Sequence, residues 1–190
     1  MIITGKGIVG ENLTASTLYG DIIIDAESRN DNVTLITEEG AIQAKNLCNK
    51  ITTLNVEKMG DISAKVNTEQ LNVTVRRGSV DIFVERITCD SSILIKEGGK
   101  VNLTVPSGTP YKVWLSAPIL NISPKIQNLG ELKLSTGNGN EEFSTENTAK
   151  NGTLPPVLRV HVSQGSINVI VDGKNQELYE KYSDSATETS

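Results

Sequence analysis

The chain has 190 residues, 37% of them apolar and only 4% aromatic, with a net charge of -5. This length suits one domain or one elongated array. The acidic balance argues against a nucleic-acid partner, which requires clustered Lys and Arg, and no run reaches the ~18 apolar residues of a membrane span.

A glycine followed by apolar residues two and four positions later recurs along the chain at intervals of about 20 residues. The position two after the glycine is β-branched in every copy. These six glycine pairs are Gly20 and Ile22, Gly40 and Ile42, Gly60 and Ile62, Gly78 and Val80, Gly99 and Val101, and Gly165 and Ile167. A fixed period in this range is typical of repeat proteins. Stacked coils select one residue type at equivalent positions, whereas the independent hairpins of a meander do not.

Each copy contains two short strands around a turn. Before Gly60, Leu54 and Val56 alternate with polar residues, and after it Ile62 and Ala64 do so again. Period-two alternation predicts strands, and the glycine between them predicts a turn with positive φ. We therefore predict an all-β fold, a single-stranded β-helix or solenoid of about eight coils with about 20 residues per coil.

The beginning of the chain and its two cysteines bear on partners and location. The first residues lack the features of a signal peptide, and no polar cap precedes the first repeat, although solenoid ends are normally capped. We expect a trimmed longer parent or an N-terminal contact with another chain. Cys48 and Cys89 fall two coils apart, roughly 9 to 10 Å, which is too far for a disulfide. Two free thiols favour a reducing, intracellular compartment.

The second half of the chain is predicted to be less regular. All six prolines follow residue 105, and proline disrupts ladder hydrogen bonds. We expect degenerate coils around 113–122 and 132–139 to fill the interval before Gly165. The solenoid domain is predicted to span 1–172, with a loop insertion at 135–156, and 173–190 to form a polar, disordered tail.

Catalytic and metal sites find little support in the sequence. His161 is the one histidine, so no Ser/His/Asp set can form, and no cofactor is expected. Asp21 and Asp61 follow repeat glycines two coils apart, a spacing that admits a glycosidase-like carboxylate pair. Residues 135–142 are rich in oxygen ligands for Ca²⁺. They lack the spaced aspartates of known calcium loops, so a flexible loop is predicted there and no metal.

Four apolar residues break the alternation by pointing outward. Trp114 lies between inward Val113 and Leu115, and Leu94 has nearly the same offset one coil earlier; Phe83 and Ile23 are the others. We expect Leu94 and Trp114 to stack as an exposed patch, with Trp114 anchoring a partner. The alternative is that the 135–156 loop or the tail covers them.

The turns Met59-Gly60-Asp61-Ile62, Arg77-Gly78-Ser79-Val80 and Gln164-Gly165-Ser166-Ile167 resemble those of an adhesin-like family of domains of unknown function, found in many bacterial proteins and in an animal family. The resemblance covers roughly residues 18–172. It implies a single-stranded β-solenoid with a binding or scaffolding role, and it supplies no catalytic residues.

We accordingly expect a non-enzymatic binding or scaffolding module for an unknown protein or glycan. Two other functions stay open. One is a structural segment of a larger protein whose N-terminal part completes the solenoid, and the other is a polysaccharide-acting β-helix enzyme.

Overall fold

A computed structural model of the chain describes residues 1–4, 7–107, 111–127, 130–134, 139–145 and 154–172. In these ranges all twelve strands belong to one sheet, which confirms the predicted all-β, solenoid-like fold. One short helix, α1 (Pro124–Gln127), accompanies them. The strands are β1 (Ile2–Thr4), β2 (Ile8–Tyr19), β3 (Ile22–Glu39), β4 (Ile42–Met59), β5 (Ile62–Arg86), β6 (Ser91–Pro106), β7 (Lys112–Ala117), β8 (Ile119–Ile122), β9 (Gly130–Leu134), β10 (Glu141–Thr145), β11 (Val157–Val162) and β12 (Gly165–Asp172). The predicted tail at 173–190 lies outside the described residues.

The sheet winds into coils with two walls that meet at the repeat glycines. We call the segments that follow these glycines the front wall and those that precede them the back wall. Successive coils pair in parallel, so that Ile22 lies beside Ile42 on the front wall and Leu35 beside Leu54 on the back wall. These offsets of about 20 residues confirm the predicted repeat length.

The repeat glycines stack directly on one another at the corner between the walls. A Cβ atom on Gly78 would lie 1.9 Å from the carbonyl oxygen of Gly60, and Gly78 has a φ of 145°. The same approach to the preceding glycine, under 3.0 Å, occurs at Gly40, Gly60, Gly99 and Gly165. No side chain fits at these corners, which explains why glycine recurs there.

The core is a narrow column of aliphatic side chains between the walls. The predicted inward ladder is confirmed, since each of its residues is at most 1% exposed: Ile22, Ile42, Ile62, Val80, Val101 and Ile167. The corner opposite the glycines is polar instead. There the backbone N–H of Asn30 donates to Asn49 Oδ1 at 2.9 Å, and Thr68 Oγ1 donates to the Lys50 carbonyl at 3.0 Å. Such bonds satisfy polar groups that the corner buries.

The order of the last coils in space differs from their order in sequence. Val160 of β11 pairs with Ile93 of β6 on one side and with Leu115 of β7 on the other. On the front wall, β12 likewise lies between β6 and β8. The coil formed by 157–172 is therefore inserted between 91–106 and 112–122. The prediction that 113–122 continues the stack directly after the Gly99 coil was wrong.

The second predicted degenerate coil is also replaced by a different structure. β10 pairs with β7 antiparallel, and β9 pairs with β10 antiparallel, so these two strands form a hairpin on the end of the back wall. Phe143 of β10 is 1% exposed and closes the core there. Residues 141–145, inside the predicted 135–156 loop, thus form a strand, while 135–138 and 146–153 lie outside the described residues.

Asp90 anchors the first residues of the inserted coil. Its Oδ1 accepts the backbone N–H of Val157 at 2.9 Å, and its Oδ2 accepts Arg159 Nη1 at 3.0 Å. These two bonds hold the pKa of the Asp90 carboxyl below its ordinary value, with the backbone bond as the larger cause.

Candidate binding groove

A groove crosses the front wall parallel to the stacking direction. It encloses about 760 Å³ and spans the coils from Ile23 to Ile170. Between its two rims each coil contributes an inward residue, such as Ala44 or Ala64, so the backbone of the wall forms the floor. Because side chains alternate across a strand, the rims consist of the residues three and five positions after each repeat glycine.

The first rim begins with Ile23 and continues as a column of polar side chains that we call the amide column. Its members are Gln43, Ser63, Asp81 and Asn102 in the groove, and Asn168 and Asn121 extend the column beyond it. Asn102 Nδ2 donates to Asp81 Oδ1, Asn168 Nδ2 donates to Asn102 Oδ1 at 2.8 Å, and Asn121 Nδ2 donates to Asn168 Oδ1 at 2.7 Å. A side-chain amide has two N–H donors and two acceptor lone pairs. One donor and one lone pair on Asn102 and on Asn168 thus remain for a ligand.

The second rim combines charged and apolar groups. Its members are Asp25, Lys45, Lys65, Phe83, Thr104 and Ile170. Lys45 Nζ pairs with Asp25 Oδ1 at 2.5 Å, and Lys65 Nζ lies 5.2 Å from the centre of the Phe83 ring. Phe83 is half-buried, whereas Ile170 is 55% exposed. The middle of this rim therefore offers the Phe83 ring next to the ammonium group of Lys65, which also pairs with Glu85 Oε2 at 3.5 Å.

The three outward apolar residues predicted to bind a partner do not form one site. Phe83 lies in the groove, while Leu94 and Trp114 are on the back wall. Leu94 faces His161 of the inserted coil, and Trp114 faces Arg159. The expected stack of Leu94 on Trp114 is therefore absent, because β11 separates their strands and shifts the two residues by two positions. Both side chains are half-buried.

The aspartates considered for catalysis form hydrogen bonds to the backbone of the next coil. Asp21 Oδ1 accepts the N–H of Ala41 at 2.8 Å, and Asp61 Oδ1 accepts the N–H of Ser79 at 2.7 Å. This arrangement gives both carboxylates a structural role at the corner. No cluster of three or more His, Cys, Asp or Glu side chains suited to a metal ion occurs within the described ranges.

The two thiols are free, as predicted. Cys89 is exposed, while Cys48 is half-buried. Burial raises the pKa of the Cys48 thiol, and the nearby Glu27 carboxylate raises it further.

The amide column was missed at the sequence level, although a signal for it exists. Polar residues three positions after the glycine recur in five copies: Gln43, Ser63, Asp81, Asn102 and Asn168. The charged and apolar residues that stand five positions after the glycine, among them Lys45, Lys65 and Phe83, mark the second rim in the same way.

Comparisons with protein-family models, with curated proteins and with solved structures find no match. The resemblance to adhesin-like domains consequently stays a prediction. In the part of the chain that the structure covers, no helix is long and apolar enough to cross a membrane.

Proposed function

We propose that the chain is a non-enzymatic binding module that holds an extended glycan along the front-wall groove. The observation that supports this is the amide column, whose hydrogen-bonded side chains recur on successive coils next to the half-buried ring of Phe83.

The geometry of the wall favours a ligand read by side chains. The backbone of the front wall is paired from coil to coil, so a peptide crossing the groove has no strand edge to join. Side-chain amides and hydroxyls match sugar hydroxyls, and apolar groups such as Phe83 and Ile170 match the C–H faces of sugar rings. The column repeats every ~4.8 Å, which is close to the rise of one pyranose in an extended chain.

Titration of the ¹⁵N-labelled chain with cellohexaose, chitohexaose and hexagalacturonate tests the proposal. We expect at least one of them to shift amide signals along the two rims and not on the back wall. The double variant Asn102→Ala/Asn168→Ala should weaken that binding by roughly tenfold or more, since each lost hydrogen bond contributes about 1 kcal/mol.

Asn72→Ala is the matched control, because Asn72 is an outward asparagine of the back wall. It should bind like the unmodified chain. Failure of all three oligosaccharides to bind at millimolar concentration would overturn the proposal, as would equal loss of binding in the control.

A further inference from the structure

The charges in the front-wall groove do not all have partners. The charged side chains that line it are Asp25, Lys45, Lys65 and Asp81. Both lysines have acidic partners, since Lys45 pairs with Asp25 and Lys65 pairs with Glu85. Asp81 is exposed, and none of the described basic side chains forms an ion pair with it. The groove therefore contains one carboxylate whose charge is not compensated.

The hydrogen bonds of the amide column all run toward this carboxylate. Asn121 donates to Asn168, Asn168 donates to Asn102, and Asn102 donates to Asp81 Oδ1. A carboxylate only accepts hydrogen bonds, so it fixes the direction of the chain, and bonds aligned in this way polarise one another. Asp81 Oδ2 accepts no hydrogen bond from the described residues. The column thus ends on an acceptor that is left for a ligand.

The surroundings of Asp81 suit a sugar that carries a positive charge. Outward residues follow one another along β5 in the order Asp81, Phe83, Glu85. Glu85 therefore draws the Lys65 ammonium toward the side of Phe83 that is remote from Asp81. The Phe83 ring offers an apolar surface to a sugar ring, and Asn102 lies beside Asp81 on the next coil. A metal ion lacks ligands here, because the described residues contain no cluster of three or more suitable side chains.

We infer that Asp81 binds a protonated amino group of the ligand, which makes the ligand a glycan of amino sugars. The inference rests on the proposed function, because it identifies the kind of sugar that the same groove holds. A hydrogen bond between an ammonium group and a carboxylate is roughly twice as strong as a neutral one. The net charge of -5 on the chain also attracts cationic ligands and repels a chain of uronic acids.

Calorimetric titration with hexaglucosamine and chitohexaose tests the inference, because the two share one backbone and differ in acetylation of the amino groups. At about pH 5.5 amines are protonated and carboxylates are ionised. We expect hexaglucosamine to bind roughly tenfold more tightly. This preference should shrink when the ionic strength rises from about 0.01 M to about 0.15 M, because salt screens exposed charges. Hexagalacturonate should bind most weakly.

Asp81→Asn removes the charge and keeps an oxygen that accepts the N–H of Asn102, so the amide column is retained. This variant should bind hexaglucosamine and chitohexaose with equal affinity. Glu57→Gln is the matched control, because Glu57 is an exposed carboxylate of the back wall. It lowers the negative charge of the chain by the same amount without changing the groove, and it should keep the preference. Far-UV circular dichroism checks that both variants are folded.

The outcomes separate this inference from the proposed function. The inference is overturned, and the glycan groove stands, if hexaglucosamine binds no more tightly than chitohexaose or if its preference survives Asp81→Asn. Absence of binding by every oligosaccharide overturns both. Hexalysine is the last ligand tested. If it binds as tightly as hexaglucosamine and loses affinity in Asp81→Asn, the groove binds a cationic peptide and the inference is wrong.

Discussion

Replacing Gly78 by alanine tests the stacked-glycine corner on which the coil geometry depends. The added Cβ would lie 1.9 Å from the Gly60 carbonyl oxygen, whereas Cβ atoms in proteins keep more than 3.0 Å from such neighbours. The two coils must separate locally by about 1 Å to relieve the contact, and alanine must also adopt a φ of 145°. The unfavourable backbone costs about 1–3 kcal/mol and the overpacking about 1–3 kcal/mol. The sum, roughly 2–6 kcal/mol, is a large part of a typical domain stability of about 5–15 kcal/mol.

Two other glycines separate these contributions. Gly20 has a φ of 105°, and no atom lies within 4 Å of the position that a Cβ would take there. Gly20→Ala should therefore lose only the stability that the unfavourable backbone conformation costs. The Cβ of Gly98→Ala would meet Gln164 O at an ordinary 3.8 Å, and its φ lies outside the positive region. That variant should stay within about 0.5 kcal/mol of the unmodified chain.

Urea unfolding followed by far-UV circular dichroism measures the three variants. We expect the free energy of unfolding to fall in the order Gly98→Ala, Gly20→Ala, Gly78→Ala, with the last the least stable. Equal stability of Gly78→Ala and Gly20→Ala would refute the close approach of the stacked glycines.

Acid should release the inserted coil from Asp90. Because its pKa is lowered in the folded chain, its contribution to stability is present above the ordinary value of about 3.9 and is lost as pH falls through the folded value. The difference in melting temperature between the unmodified chain and Asp90→Asn should therefore stay constant from pH 7 to about pH 4 and shrink as the pH falls further, and a difference that does not shrink below about pH 4 contradicts this. The thiols should differ in reactivity. Exposed Cys89 should react with Ellman's reagent faster than half-buried Cys48, whose pKa is raised; single Cys→Ser variants assign the two rates, and equal rates contradict this.

The sequence predicted those parts of the fold that repeat. Ile62 and Val80 occupy equivalent positions in successive coils because equivalent positions share one environment, so their burial follows from the pattern. The corner glycine follows in the same way, since a backbone contact that excludes Cβ recurs in each coil.

The order of the last coils was not predictable on these grounds. Val160 presents the same inward alternation to β6 and to β7, so the pattern gives no information on which neighbours it takes. The antiparallel pairing of β10 has the same cause, because alternation is identical in both strand directions. The predicted contact between Leu94 and Trp114 was wrong for the same reason, because β11 lies between their strands.

The groove depends on columns that run across coils, and these appear only when the register is known. Gln43 and Asn102 are ordinary polar strand residues when each coil is taken separately. Stacked in register with Asp81 and Asn168, they form one rim of a continuous surface.

The inserted coil also dictates the sequence of events in folding. Residues 112–122 leave the ribosome before 157–172, although 157–172 lie between them and residues 91–106 in the folded chain. Before 157–172 has been synthesised, β7 can pair with β6 in the position that β11 takes in the folded chain, because both strands have the same inward pattern. A chain in which β7 pairs with β6 first must release β7 before β11 can enter, a rearrangement of the kind that slows folding and leaves strand edges exposed to aggregation.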